Sequence, residues 1–158
     1  MFYGKMKALT FSYDDGVTQD RRLVELFDRY GLKATFNINS ELLGKPGTLW
    51  RENMWVDHNK IRPEEAAELY RNHEVAVHTL THPHLTELEE PEIIRQVEED
   101  RINLERLTGK TVVGMAYPGG GVNNDERVAE VIRKHTAMKY ARTITSCYHF
   151  DLQQDLLR

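Results

Sequence analysis

Two short segments hold the residues best suited to chemistry. His78-Thr79-Leu80-Thr81-His82 sets two histidines at i, i+4, and Asp14-Asp15-Gly16 sets two carboxylates side by side. On a helical turn that histidine spacing puts both imidazoles on one face, roughly 5–6 Å apart at Cβ. Asp15, His78 and His82 then make a two-imidazole, one-carboxylate set. Three protein ligands with open positions describe a catalytic metal rather than a structural one, because water and substrate need somewhere to bind. A bound divalent ion lowers the pKa of its water from about 15.7 to about 7 and polarises a carbonyl oxygen. A second carboxylate beside that water can take its proton. Adjacent aspartates at a strand end point in different directions, so one can coordinate while the other acts as base. The same donor set also suits a non-haem Fe(II) oxygenase. Each motif has a duller explanation as well: paired histidines arise by chance, and Asp-Asp-Gly is a common turn.

Both motifs directly follow apolar runs that read as strands. Lys7-Ala8-Leu9-Thr10-Phe11 leads into Asp14 and Asp15, and Val75-Ala76-Val77 leads into His78. In a parallel sheet, the residues just past the strand C-termini gather on one rim. Between these strands, Leu23, Leu26, Phe27 and Tyr30 recur at helical spacing, with Gly31 as the stop. Ala34–Ile38 is a second strand, with Asn39-Ser40 at its end. Pro63 opens a short helix through Asn72, and Pro91 opens the longest one, with Ile93, Ile94, Val97, Leu104 and Leu107 on its buried side and Gly109 beyond it. Val112–Ala116 is a fourth strand, Asn123 or Asn124 caps a helix carrying Val128, Val131, Ile132 and His135, and Tyr140–Ile144 is a fifth strand. Strands alternating with helices mean βαβ units, a parallel sheet and right-handed crossovers in a single α/β domain. An open doubly wound sheet and a partial barrel both satisfy this pattern.

From Glu41 to Arg62 the periodicity lapses, and Gly44, Pro46 and Gly47 rule out a helix. A loop this long in a compact domain is more often functional than not. Here it would overhang the strand ends, with Trp50 and Trp55 either stacking on sugar or packing down as anchors; anchoring is expected for at least one of them. His58, His73, His84, His135 and His149 read as surface or helix-end residues. Gly119-Gly120-Gly121 lacks the lysine and spacing of a P-loop and suggests close backbone approach to the site.

Composition removes several function classes. Across 158 residues the net charge is −4 with no basic block, which argues against a nucleic-acid binder. The single cysteine, Cys147, excludes an intrachain disulfide and a Cys-rich zinc site. No apolar run approaches the roughly 18 residues of a membrane span. No signal-peptide h-region follows the N-terminal lysines, so a cytoplasmic location is expected.

Thr10-Phe11-Ser12-Tyr13-Asp14-Asp15-Gly16 resembles the first motif of the polysaccharide deacetylases (the NodB-homology, carbohydrate esterase family 4 type), T-F-D-D-G, with extra residues before the aspartates. His78-Thr79-Leu80-Thr81-His82 matches the second motif, H-[S/T]-x-x-H, and Tyr117-Pro118-Gly119 resembles the third, R-x-P-Y. The resemblance runs from about Lys7 to Ile144. It implies a partial or distorted (β/α) barrel, here with about five parallel strands, and metal-dependent hydrolysis of an acetyl group on an N-acetylated sugar or related amide or ester. It further implies Asp14 as general base, Asp15, His78 and His82 as ligands of a divalent metal (zinc, with cobalt, nickel, manganese or iron as alternatives), and Tyr117, Pro118 and Gly119 against a carbohydrate or small acetylated substrate, to which the loop reading adds Trp55. An iron oxygenase fits less well, because its ligands normally sit on a double-stranded β-helix.

Three departures stand out. The third motif's arginine falls on Ala116, and Arg142 on the fifth strand is the candidate stand-in for orienting Asp14. The late L-x-H motif, which carries the histidine general acid, has no counterpart here. The domain therefore reads as incomplete at its C-terminal side, with activity impaired or replaced by a non-catalytic metal-binding or assembly role. Open barrel edges favour association, so a homo-oligomer covering them is expected.

Overall fold

The computed structural model describes residues 8–146, 148 and 154–158. Lys7, Cys147 and His149 lie outside the described residues. Five strands form one all-parallel sheet: β1 (Ser12–Asp14), β2 (Thr35–Ile38), β5 (Glu74–Val77), β6 (Gly114–Ala116) and β7 (Tyr140–Arg142). A separate antiparallel hairpin, β3 (Thr48–Arg51) with β4 (Met54–Asp57), occupies the segment that has no periodicity in the sequence. The helices are α1 (Asp20–Arg29), α2 (Ala66–Leu69), α3 (Glu90–Thr108) and α4 (Glu126–His135).

The sheet order β1-β2-β5-β6-β7 follows the chain without a reversal. A doubly wound sheet needs a switch point where the order turns back; a barrel does not. Curling is also required by one ion pair. The Arg142 guanidinium on edge strand β7 donates to both carboxylate oxygens of Asp14 on the opposite edge strand, at 2.5 and 2.6 Å. Four strand spacings in a flat sheet would separate these edges by about 19 Å, well beyond an arginine side chain. The strands therefore form a curled half-barrel.

Strand alternation divides the sheet into two faces. Tyr13, Phe36, Ile38, Val75, Val77 and Met115 share the outer face and belong to the apolar core. Phe27 of α1 packs on Phe11 and Tyr13, and Tyr70, just after α2, packs on Phe36. Val97 and Leu104 of α3 and Val128 and Ile132 of α4 complete that core. Ser12, Asp14, Asn37, Ala116 and Arg142 share the inner face. Gly114 lies on it too, where any Cβ would meet the Tyr140 ring at 2.2 Å, so glycine is what lets that ring cross the interior.

Several expected boundaries move. Among the described residues the first strand begins at Ser12, past the expected apolar run, because β2 starts only at Thr35, whose amide donates to the Phe11 carbonyl at 2.9 Å. Leu9 is exposed and Phe11 packs on α1 as coil. The helix after Pro63 is a 3-10 turn followed by four α-helical residues. Pro91 and Gly109 bound α3, with Gly109 left-handed at φ +69°. The cap of α4 is Asp125, whose carboxylate accepts from Val128 N at 2.8 Å, not Asn123 or Asn124. Asn123 is instead buried and donates to the carbonyls of Gly119 and Tyr117, holding the glycine loop. No helix among the described residues is long and apolar enough to cross a membrane.

Candidate active site

The C-terminal rim of the sheet brings Asp15, His78 and His82 together. One donor atom from each lies within 4.8 Å of the other two. Asp15 Oδ1 stands 3.8 Å from His82 Nε2 and 4.0 Å from His78 Nε2, too far for hydrogen bonds and open enough for a shared ion.

Backbone geometry aims each ligand. Asp15 adopts φ +81°, an uncommon conformation for a non-glycine residue that turns its side chain out of the strand line. Its amide donates to the Asn37 carbonyl at 2.8 Å, extending the ladder by one residue. The two histidines do not sit on a helical turn, contrary to the reading from their spacing. They flank a loop in which Thr79 and His82 are left-handed, at φ +67° and +63°. The rings nevertheless meet edge to face, with centroids 4.9 Å apart. Gln96 of α3 holds this loop through Leu80 N, Thr81 N and the Thr81 hydroxyl.

His78 is held at its amide, its carbonyl and Nδ1. Its Nδ1 lies 2.9 Å from the Ala116 carbonyl, which can only accept. Nδ1 therefore carries the hydrogen, and Nε2 presents its lone pair toward Asp15. The His78 amide donates to Ile38 O at 3.0 Å and to Asp100 Oδ2 at 3.2 Å. Asn39 Nδ2 donates to the carbonyls of His78 and Thr79. Burial holds the His78 imidazole below its ordinary pKa, which keeps it neutral and able to ligate.

Asp14 faces the other way along the inner face. Besides Arg142, it accepts from Asn37 Nδ2 at 2.8 Å, and Asn37 also reaches Ser12 Oγ. Ala116 and Arg142 are register neighbours on β6 and β7. The small side chain at 116 leaves the interior free for the guanidinium from 142 to cross to Asp14.

Beyond the motifs, two residues after the hairpin enter the site. His58 Nε2 lies 3.0 Å from Asp15 Oδ2, and Lys60 Nζ lies 3.5 Å from Asp15 Oδ1 and 3.1 Å from His58 Nε2. His58 is therefore a site residue rather than a surface one. Burial raises the Asp15 carboxyl, but Lys60, His78, His82 and His58 together outweigh it and leave it below the usual range. Burial lowers both Lys60 and His58, while Asp15 pulls each back up. His73 is also misread as a surface residue: it is buried, and its ring packs edge-on against Phe36. His84 is half-buried against Gly119, whose φ of +81° and 2.7 Å Cβ distance to that ring exclude a larger residue.

The cleft over these groups is lined by Asp14, Asp15, Leu42, Leu49, Arg51, His58, Lys60, His78, His82, Tyr117, Gly119, Gly120 and Ile144. Tyr117 and Gly119 are thus among the cleft residues, and the Tyr117 hydroxyl is committed to the Leu157 carbonyl at 2.6 Å. Pro118 is buried and does not line the cleft. Trp55 does not either. In the hairpin register Trp50 pairs with Trp55 on one face, while Leu49 and Arg51 on the other face line the cleft. The indoles are 53% and 69% exposed and contact each other edge to face, so neither anchors the segment.

The donor set fits a divalent ion: two imidazole nitrogens and a carboxylate, preorganised around one point with the His78 tautomer fixed by its neighbour. Lys60, a cation 3.5 Å from the same carboxylate, opposes it.

Comparison with known proteins follows the geometry. The polysaccharide deacetylase family matches residues 3–139. A Streptococcus pyogenes deacetylase, PplD, solved with acetate, superposes with a TM-score of 0.69 at 15% identity, covering 85% of this chain and 55% of that one. A de-N-acetylase from Aggregatibacter actinomycetemcomitans gives 0.67 at 16% identity, covering 87% and 63%. A CE4 family pseudoenzyme from Bacillus anthracis gives 0.62 at 23% identity, covering 86% and 43%. At these identities the likeness is one of fold, and the chain spans roughly half the length of these structures. No curated protein matches the chain.

Proposed function

The chain belongs to the polysaccharide deacetylase family, and from that premise we propose that it carries the site of a metal-dependent deacetylase acting on an N-acetylated sugar or a related amide or ester. The observation that supports this most is the convergence of Asp15, His78 and His82 from strand ends 63 residues apart at their nearest, all within 4.8 Å, beside a separately held Asp14. Zinc suits the donors, and cobalt, nickel, manganese or iron would also be accepted. When bound, such an ion supplies Lewis acidity toward an acetyl carbonyl and toward water.

This chain's own residues supply the rest. Asp14 is placed to accept the proton of an attacking water at a carboxylate oxygen. Arg142 and Asn37 hold that carboxylate in its orientation, and Arg142 does so from the strand next to the position where the family carries its arginine. Ala116 O keeps the His78 tautomer. Leu42, Leu49 and Ile144 provide apolar walls to the cleft, and Arg51 adds a cation at its mouth.

A second reading, a metal-binding or assembly module without turnover, is favoured by Lys60, a nearly buried cation on the carboxylate that would ligate. Metal analysis combined with acetate release from chito-oligosaccharides and small aryl acetates separates the two. Acetate release that requires metal supports the enzyme; bound metal without release supports the module. We further propose that a second copy covers the strand edges at β1 and β7, each paired with one strand among the described residues, the β7 edge being covered in part where the Ala141 amide donates to the Leu156 carbonyl at 2.7 Å. A monodisperse monomer by light scattering at micromolar concentration contradicts that.

A further inference from the structure

We propose that Lys60 is the resident counter-cation of Asp15, which an incoming metal ion must displace, so that Lys60 sets how loosely this site holds its metal. The inference rests on the metal-site reading above and concerns a residue outside every motif.

Lys60 is built in. Its amide donates to Lys45 O at 3.0 Å, and it forms an isolated antiparallel bridge with Val17. On either side, Thr18 N donates to Asn59 O at 2.8 Å and Ile61 N donates to Gly16 O at 2.9 Å. The backbone at 60 is thereby stitched to the turn that immediately follows Asp15. From there the side chain, only 9% exposed, brings Nζ to 3.5 Å from Asp15 Oδ1. That is the same oxygen that faces His78 and His82. The site's metal-facing atom is thus shared between two imidazoles and an ammonium.

His58 sharpens the point. Its Nε2 is within 3.1 Å of Lys60 Nζ and 3.0 Å of Asp15 Oδ2. An ammonium has only hydrogens to offer, and a carboxylate only lone pairs. One ring nitrogen cannot accept from the first and donate to the second at once. Whichever partner His58 serves, Asp15 remains the anion that compensates Lys60. A dication at the same oxygen places two positive groups against one carboxylate in a half-buried cleft, where their repulsion is poorly screened. Metal entry must therefore swing the ammonium toward open solvent, against the preference of the closed arrangement. This makes the site exchangeable: one cation leaves Asp15 as another arrives.

The test is zinc affinity, measured by competition with a chromogenic chelator at fixed pH, with cobalt(II) absorption as a second readout and circular dichroism to check folding. Lys60→Met, which keeps the apolar stem, and Lys60→Gln should bind zinc at least about tenfold more tightly than wild type. Lys60→Arg keeps the charge and should stay within about twofold. A further measurement needs no variant: in the wild-type chain, zinc should speed reductive methylation of Lys60, read by peptide mass spectrometry, because the displaced amine becomes accessible. Unchanged or weaker zinc binding in Lys60→Met and Lys60→Gln overturns the proposal, as does Lys60 methylation indifferent to zinc. A different result would remove the metal reading itself, and this proposal with it: zinc affinity unaffected by His78→Ala and His82→Ala.

Discussion

The outer face of the curled sheet presents Tyr13, Phe36, Val75, Val77 and Met115 to the helices, whereas the inner face presents Ser12, Asp14, Asn37, Ala116 and Arg142 to one another. The same strands build both, since successive side chains alternate. Outer residues gain their stability from burial, and many neighbours share the load of each. The polar inner residues are held by directed bonds to a few named partners, as Asn37 is to Ser12, Tyr13 and Asp14 and Arg142 is to Asp14. Damage to the outer face should therefore appear as lost stability. Damage to the inner face and its rim should appear as lost chemistry in a protein that still folds.

The largest effect expected is on the inner face. Asp14→Asn should leave zinc binding intact and lower any acetate release by about 10²–10⁴, with thermal melting close to wild type. If Asp14→Asn loses metal while Asp15→Asn keeps it, the two aspartates have exchanged roles. On the outer face, Phe36→Ala should cost about 3–5 kcal/mol in urea unfolding, since that ring is buried among Tyr13, Tyr70 and His73. A loss of catalysis without a loss of stability in Phe36→Ala would erase the distinction between the faces.

A smaller effect concerns the buried polar pair beneath α1. Burial pushes Asp20 up to about 6 from 3.8, although the Tyr70 hydroxyl, donating at 2.6 Å, opposes the shift. The folded state therefore holds a proton that the unfolded chain has released between about pH 4 and 6. Stability should fall as pH rises through that window, and Asp20→Asn should flatten that part of a melting-temperature profile. A parallel, undiminished slope in the variant contradicts the assignment. Smallest of all, Trp55→Ala should change stability by no more than about 0.5 kcal/mol and leave the cleft undisturbed, because its indole stands on the far side of the hairpin.

What could be read from the sequence divides along the same line. Apolar periodicity reports burial, so β2, β5, α1, α3 and α4 were legible within a few residues, and strand-then-motif order placed Asp15, His78 and His82 on one rim. Barrel curvature was not legible, because pattern constrains which face is apolar but not the direction in which successive strands are added. The hairpin escaped for a different reason: both of its faces are exposed, so it lacks the alternation that marks a half-buried strand. His58 and Lys60 follow that hairpin and reach Asp15 through backbone stitching to Gly16, Val17 and Thr18, a long-range register that leaves no local signature. Asn37 offered a weak signal, a polar residue inside an apolar strand, and it proves to be a partner of Asp14. Arg142 could be nominated only because Ala116 stood where an arginine was expected.

X-ray absorption at the zinc edge of the metal-loaded chain tests the central claim most directly. The account predicts one zinc per chain with two imidazole nitrogens at about 2.0–2.1 Å in its first shell, one of them lost in His78→Ala. A first shell of oxygen alone, identical in wild type and His78→Ala, would contradict it.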